Sequence, residues 1–360
     1  MNQSRRLMQN EGKPHAFVLH SAFCILHSSF ILPLVHSCPM PAKIAIVGAG
    51  SVGATIAYAC IIRGVGQHVV LYDTNRGKVD AEVLDLNHGL QFVPMATIEG
   101  SDDAGICADA DVVVVTAGAK QKPGQTRMDL AATNVQICRK LIPDLVRLAP
   151  HAILLMVTNP VDVITYAALK ISGLPRQRVF GSGTVLVSSR FRYLIARRCN
   201  VAVQNVHAYI AGEHGDSEIP LWSSCRIANV LLHEWAVPGH GKLSVRDRTE
   251  IFVNVRDAAQ QIIKGKGATN YAIGLSTARI LESVLNDENR ILPVSSLLTN
   301  YRPLGRTDGD GIDDVCLSVP SIVNRKGVEQ PLEIPMNDAE VAGLRNSAEQ
   351  IRAAIRSLGF

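Results

Sequence analysis

The chain predicts an α/β fold: a doubly wound parallel sheet followed by an α+β domain. Two features of the first half point to the sheet. Short apolar, β-branched runs alternate with helical stretches, the pattern of a parallel sheet covered on both faces. The first of these runs ends in a glycine-rich turn that opens a helix. A third feature marks the second half, where long helical periodicities mix with alternating strand-like segments. The expected organisation is residues 1–40 as an extension foreign to the fold, 41–181 as the sheet domain and 182–360 as the α+β domain.

The elements follow in order. Lys43–Val47 (KIAIV) is a strand, then a helix runs to about Arg63. His68–Tyr72 (HVVLY) is the next strand, and 77–90 is helical. A weak strand lies near 96–98. DVVVVT at 111–116 is a buried strand, 117–129 a long polar loop and 130–148 a helix. ILLMV at 153–157 closes on Thr158-Asn159-Pro160. A helix over 161–171 and a short strand over 179–181 complete the first domain. Beyond it, 188–199 and 244–285 are helical, 206–210 and 315–335 read as antiparallel strands, and an amphipathic helix covers 338–357.

Composition excludes several classes. The 360 residues are 47% hydrophobic and 19% charged, which is globular. A net charge of +4 is too mild for phosphate neutralisation, so no nucleic acid is expected. No uninterrupted apolar stretch reaches membrane-spanning length, so no membrane is expected. The eight cysteines are scattered without a C-x-x-C pair, which favours buried thiols in a reducing cytosol and no metal. Residues 1–40 hold repeated His-Ser motifs without periodicity. A signal peptide, a transit peptide and upstream sequence ahead of a start at Met40 all compete for them. The last is preferred because the fold begins at once at Lys43, and it places the protein in the cytoplasm.

Gly48-x-Gly50-x-x-Gly53 lies between a strand and a helix, and Asp73 follows at the end of the next strand. This is the Rossmann fingerprint. Gly48 permits the tight turn, Gly50 lets backbone approach a pyrophosphate, and Gly53 lets helix and strand pack closely. Ser51 and Val52 open the helix whose free N–H groups face the phosphates. Asp73 would bond the ribose hydroxyls and repel a 2′-phosphate, selecting NAD over NADP.

Gly212-Glu213-His214-Gly215-Asp216-Ser217-Glu218 follows an apolar strand. An imidazole between glycines is approachable and can exchange a proton near neutral pH. Alone, it fits an ordinary turn histidine equally well. From Lys43 to about Ser357, however, the chain resembles the lactate/malate dehydrogenase family, and within it the NAD-dependent L-lactate dehydrogenases. The resemblance rests on GAGSVG, TAGAKQKPGQTR, VTNPVD, GSGTVL, GEHGDSE, KGKGATNYAIG and DVCLSVPSIV, in the family's order.

The resemblance implies hydride transfer between NADH and pyruvate, giving L-lactate, with His214 supplying the proton. It implies that Arg127, in a loop with Gly118 and Gly124 as hinges, polarises the substrate carbonyl. Arg190 would clamp the substrate carboxylate with its planar fork. Asn159 would stand near nicotinamide and substrate, and Thr269 would line the pocket. The family's malate enzymes place an arginine where this chain has Gln121. A neutral amide cannot pair a second substrate carboxylate, which disfavours malate, although Lys122 stands beside it.

One position departs from the family. Its aspartate, which orients the catalytic histidine, is here Val187, with the spacing otherwise kept. Valine cannot fix the imidazole tautomer or stabilise its cation, and an apolar neighbour lowers its pKa. A severe loss of pyruvate reduction is expected, with NAD binding intact, unless Glu213 or Asp216 reaches the ring. The resemblance also implies a homotetramer, or in some members a dimer. It further implies a fructose 1,6-bisphosphate effector site at Arg192 and His207. Two alternatives remain at this point: a dehydrogenase for malate or a bulkier 2-hydroxy acid, and a catalytically silent NAD-binding protein.

Overall fold

The structure, a computed structural model, describes residues 42–119, 124, 126–239, 241–307 and 309–360. The extension expected over residues 1–40 lies outside them, as do Gln121 and Lys122. The first half runs β1 (Lys43–Val47), α1 (Ser51–Arg63), β2 (His68–Tyr72), α2 (Arg76–His88), β3 (Thr97–Ser101), β4 (Val112–Val115), α3 (Arg127–Leu148), β5 (Ile153–Met156), α4 (Val161–Ser172) and β6 (Val179–Gly181). Then come α5 (Val185–Cys199) and the short strands β7 (Val206–His207), β8 (Ile210–Ala211), β9 (Ile219–Pro220), β10 (Arg226–Ile227), β11 (Val230–Leu231), β12 (Ala236–Val237) and β13 (Gly241–Lys242). The chain ends with α6 (Val245–Lys266), α7 (Tyr271–Leu285), β14 (Arg290–Leu298), β15 (Val315–Asn324), β16 (Gly327–Pro331) and α8 (Asp338–Ser357).

The strands β1 to β6 are parallel, in the order β3-β2-β1-β4-β5-β6. The order reverses between β1 and β4, so a crevice opens at the carboxyl ends of these strands. Alternate residues of one strand serve opposite faces. Ile44 and Ile46 join the core under α1 and α7, while Ala45 and Val47 join the core under α3. Burial on both faces explains why KIAIV and DVVVVT show no polar alternation.

The sheet does not end at β6. Antiparallel β14, β15 and β16 extend it to nine strands, joined through Ser295 opposite Gly181. The antiparallel reading of 315–335 therefore describes β15 and β16, but their partner β14 went unread. Its sequence, RILPVSSLL, breaks the apolar run with Pro293, Ser295 and Ser296, yet both serines are buried. One sheet thus carries the glycine turn and the strand that backs the histidine loop.

Boundaries moved where capping chemistry decides them. The helix expected from 130 begins at Arg127, because Thr126 and Asp129 form a capping box. Arg127 is therefore the first residue of α3 and not a loop residue. The helical stretch 244–285 is two helices, parted at Gly267, whose φ of 80° ends α6. The six described cysteines are buried and free.

Candidate active site

The turn from β1 to α1 is built for a phosphate. Gly48 has φ +105°, which an L side chain rarely adopts. A Cβ on Gly53 would lie 1.9 Å from the Gly48 carbonyl oxygen. Gly50, by contrast, faces open space, with only Lys78 Nζ at 3.8 Å from a Cβ placed there. Gly50 caps α1 without a side-chain bond, and no acid sits in the first turn, at Ser51 or Val52. The amino end of α1 therefore presents free N–H groups to an anion. Asp73 is fixed by two backbone donors, Ala49 N–H to Oδ2 at 2.8 Å and Asn75 N–H to Oδ1 at 3.0 Å. Each oxygen keeps a lone pair for a ribose hydroxyl. These residues fit a dinucleotide. Gly53→Ala is expected to abolish NADH binding and to destabilise the fold by about 1–3 kcal/mol through overpacking. NADH fluorescence titration and thermal unfolding check both.

The second part of the site is the loop between β8 and β9. These strands pair, so residues 212–218 form the tip of a short hairpin. The His214 N–H donates to Asp162 Oδ2 at 2.7 Å, and Ser295 Oγ donates to Asp162 Oδ1 at 2.6 Å. Burial pushes the Asp162 carboxyl up to about 7. Arg127 lies along this loop: Nη2 is 2.7 Å from Glu213 Oε1 and donates to the His214 carbonyl at 2.9 Å, and Nη1 is 3.5 Å from Asp216 Oδ2. A Cβ on Gly215 would stand 2.1 Å from the guanidinium, so only glycine admits this contact.

His214 is half-buried, and its Nδ1 is sequestered from solvent without a hydrogen-bond partner. Burial first, then the nearby Arg127 and Arg190 charges, push its pKa down to about 4. Neither candidate carboxylate rescues it: Glu213 and Asp216 face Arg127 instead. Val187 lies in the first turn of α5, 2% exposed. That turn abuts β8. Thr184 Oγ1 donates to the Ile210 carbonyl at 2.6 Å, and the Ile210 N–H donates to Ser188 Oγ at 2.9 Å. Arg190, one turn on, is half-buried and donates from Nη1 to the Val255 carbonyl in α6 at 2.7 Å. Burial lowers its pKa.

The remaining candidates are placed less directly. Asn159 lies three residues beyond β5, past the sheet's carboxyl edge, and its carbonyl accepts from Asn134 Nδ2 at 2.7 Å. Asn134 Oδ1 also takes the Ala119 N–H at 2.7 Å, tying the start of the loop before α3 to Asn159. Thr269 is half-buried in the α6–α7 junction. Among the described residues no hydrogen bond or ion pair joins Asn159 or Thr269 to His214. Arg192 Nε donates to the Ala208 carbonyl at 2.8 Å, and its guanidinium lies over Tyr209. His207 is exposed and stands opposite Arg226 across β7 and β10. Asp162, Asn134 and Glu218 were not singled out from the sequence. Asp162 carried a usable signal, a carboxylate opening an otherwise apolar helix. Among the described residues no helix is long and apolar enough to cross a membrane, and no group of three or more His, Cys, Asp or Glu could hold a metal.

A dinucleotide cradle at the carboxyl edge of the parallel sheet, with a histidine loop bridged to the same sheet through Gly212 and Ser318, marks a nicotinamide-dependent oxidoreductase. Comparison with known proteins narrows that class. The model of the lactate/malate dehydrogenase NAD binding domain matches residues 42–181, and that of the family's alpha/beta C-terminal domain matches 184–358. The L-lactate dehydrogenase of Bifidobacterium animalis subsp. lactis is 51% identical over 328 residues, 91% of this chain and 100% of that protein. That of Acetivibrio thermocellus is 44% identical over 317 residues, 88% and 97% of the two chains. The crystal structure of a lactate dehydrogenase from a Medee basin deep-sea metagenome library superposes with a TM-score of 0.82 at 39% identity, covering 89% of this chain and 99% of that one. The minor L-lactate dehydrogenase of Enterococcus mundtii, in ligand-bound form, gives 0.82 at 38%, covering 88% and 98%. The chain belongs to the lactate/malate dehydrogenase family, and its cofactor is NAD.

Proposed function

We propose that the chain is an L-lactate dehydrogenase that reduces pyruvate to L-lactate, with His214 as proton donor and with its rate at neutral pH limited by Val187. The observation that carries this reading is a half-buried histidine whose sequestered Nδ1 lacks a partner, with the Arg127 guanidinium on its carbonyl and the Arg190 charge acting on its ring. When bound, NADH supplies the hydride. The chain's own residues do the rest. Arg190 grips the substrate carboxylate through two parallel N–H bonds. Arg127 places positive charge beside the carbonyl oxygen, where negative charge develops. His214 donates the proton to that oxygen. Asp162 holds the histidine's backbone but cannot serve its ring. With its pKa near 4, only about one His214 in a thousand is protonated at neutral pH.

Gln121 supplies no cation for a second carboxylate, which favours pyruvate over oxaloacetate. A substrate panel with the full chain tests this: turnover of pyruvate well above oxaloacetate supports it, and the reverse order refutes it. NADH binding with no turnover of any 2-oxo acid at any pH would leave the silent-protein alternative. The effector reading places fructose 1,6-bisphosphate at Arg192 and His207, where Arg226 adds a third cation. The homotetramer reading is supported by exposed apolar side chains outside the site, Leu84, Phe92, Met95 and Leu275. The cytoplasm is the compartment that suits six buried free thiols. Light scattering with and without the bisphosphate, beside Arg192→Gln, tests assembly and effector together.

A further inference from the structure

We propose that Glu218 is a positioning residue that tunes the Arg190 clamp, its buried carboxyl acting as an internal rival for the substrate's carboxylate. This rests on the reading of Arg190 as that clamp. Glu218 closes the His214 loop where it enters β9, its N–H donating to the Gly215 carbonyl at 3.3 Å. The residue is 9% exposed, and its Oε1 is sequestered from solvent without a hydrogen-bond partner. A carboxyl in that state is costly.

The groups that face Glu218 come from three elements. Arg190 from α5 and Arg256 from α6 favour its ionised form, while Glu213 and Asp216 from its own loop oppose it. Burial outweighs the arginines and raises its pKa to about 7. Glu218 in turn favours the ionised Arg190, whose hydrogen bond among the described residues is to a neutral carbonyl. The two states of Glu218 therefore leave two different clamps. With Glu218 protonated, the full charge of Arg190 is free for an incoming carboxylate. With Glu218 ionised, that charge is already partly neutralised, and the substrate meets a second anion. Substrate affinity should weaken as pH rises through about 7, separately from the titration of His214, which lies lower.

The test is binding of oxamate, a carboxylate analogue of pyruvate, to the full chain saturated with NADH, read by cofactor fluorescence from about pH 6 to about pH 8. Any dependence on His214 is common to all forms and cancels in a ratio of affinities. The Glu218→Gln to wild-type affinity ratio should grow about three- to tenfold across this range. Arg256→Gln, which removes an exposed cation that favours the ionised carboxyl, should move the midpoint of that divergence upward. A constant ratio in a Glu218→Gln protein of wild-type melting temperature would overturn the inference. If that variant does not fold, the Arg256→Gln to wild-type ratio decides: a maximum near neutral pH supports the inference and a flat line overturns it. Failure of every form to bind oxamate at any pH would instead remove the substrate-site reading itself.

Discussion

Val187→Asp is expected to raise the turnover of pyruvate near neutral pH by about 10²–10⁴-fold, the usual contribution of a competent general acid. The physical reason is the state of His214. Its Nδ1 is sequestered and unpartnered, and two arginines stand nearby, so desolvation and both charges favour the neutral imidazole. A carboxylate on the first turn of α5, against the strand that leads to His214, would accept the Nδ1–H and stabilise the cation. Val187→Asn separates the two effects. Its amide oxygen can accept the same N–H and fix the tautomer, but it brings no charge. It should recover only part of the gain. NADH affinity, set at Gly48, Gly50, Gly53 and Asp73, should not change in either variant. Stopped-flow rates of NADH oxidation and NADH titrations check both statements.

Arg190→Gln is expected to raise the KM for pyruvate by about 10²–10³-fold, since truncating one member of a buried charge pair typically costs 2–5 kcal/mol. Arg190→Lys should recover only part of this loss. An ammonium keeps the charge but cannot make two parallel bonds to a carboxylate. Both variants should bind NADH normally. Because Arg190 also donates to the Val255 carbonyl, a modest fall in melting temperature should accompany either change. Steady-state kinetics with a melting curve for each variant separate the two effects.

Much of this site was legible in the sequence, for identifiable reasons. The glycines of the β1–α1 turn and Asp73 are local: spacing, strand and helix all lie within one continuous segment. The exchange at Val187 was legible because a kept spacing exposes a single substituted residue. What the sequence concealed is non-local. The Asp162–Ser295 support of His214 spans three elements, and Ser295 sits in β14, whose proline and serines mask it as a strand. The partners of Glu213 and Asp216 could not be read either. They lie near His214 in sequence, yet Gly215 admits the Arg127 guanidinium to the backbone, and both carboxylates turn to it. The start of α3 was misplaced because the apolar pattern begins at Leu130, whereas the capping box acts from Thr126.

His214 lacks the support needed to hold a proton near neutral pH, and this weakness can be measured. Its most direct test is the single-turnover rate of NADH oxidation by the full, unmodified chain at saturating pyruvate, from about pH 5 to about pH 8. Saturation removes the binding step, so the rate follows the protonated fraction of His214. A slow rate at neutral pH is expected, climbing about tenfold for each unit of acidification with no plateau above about pH 5. A fast rate that is flat from about pH 5 to about pH 6.5 and falls only above it would mean that some other group supports the histidine and that Val187 does not limit it.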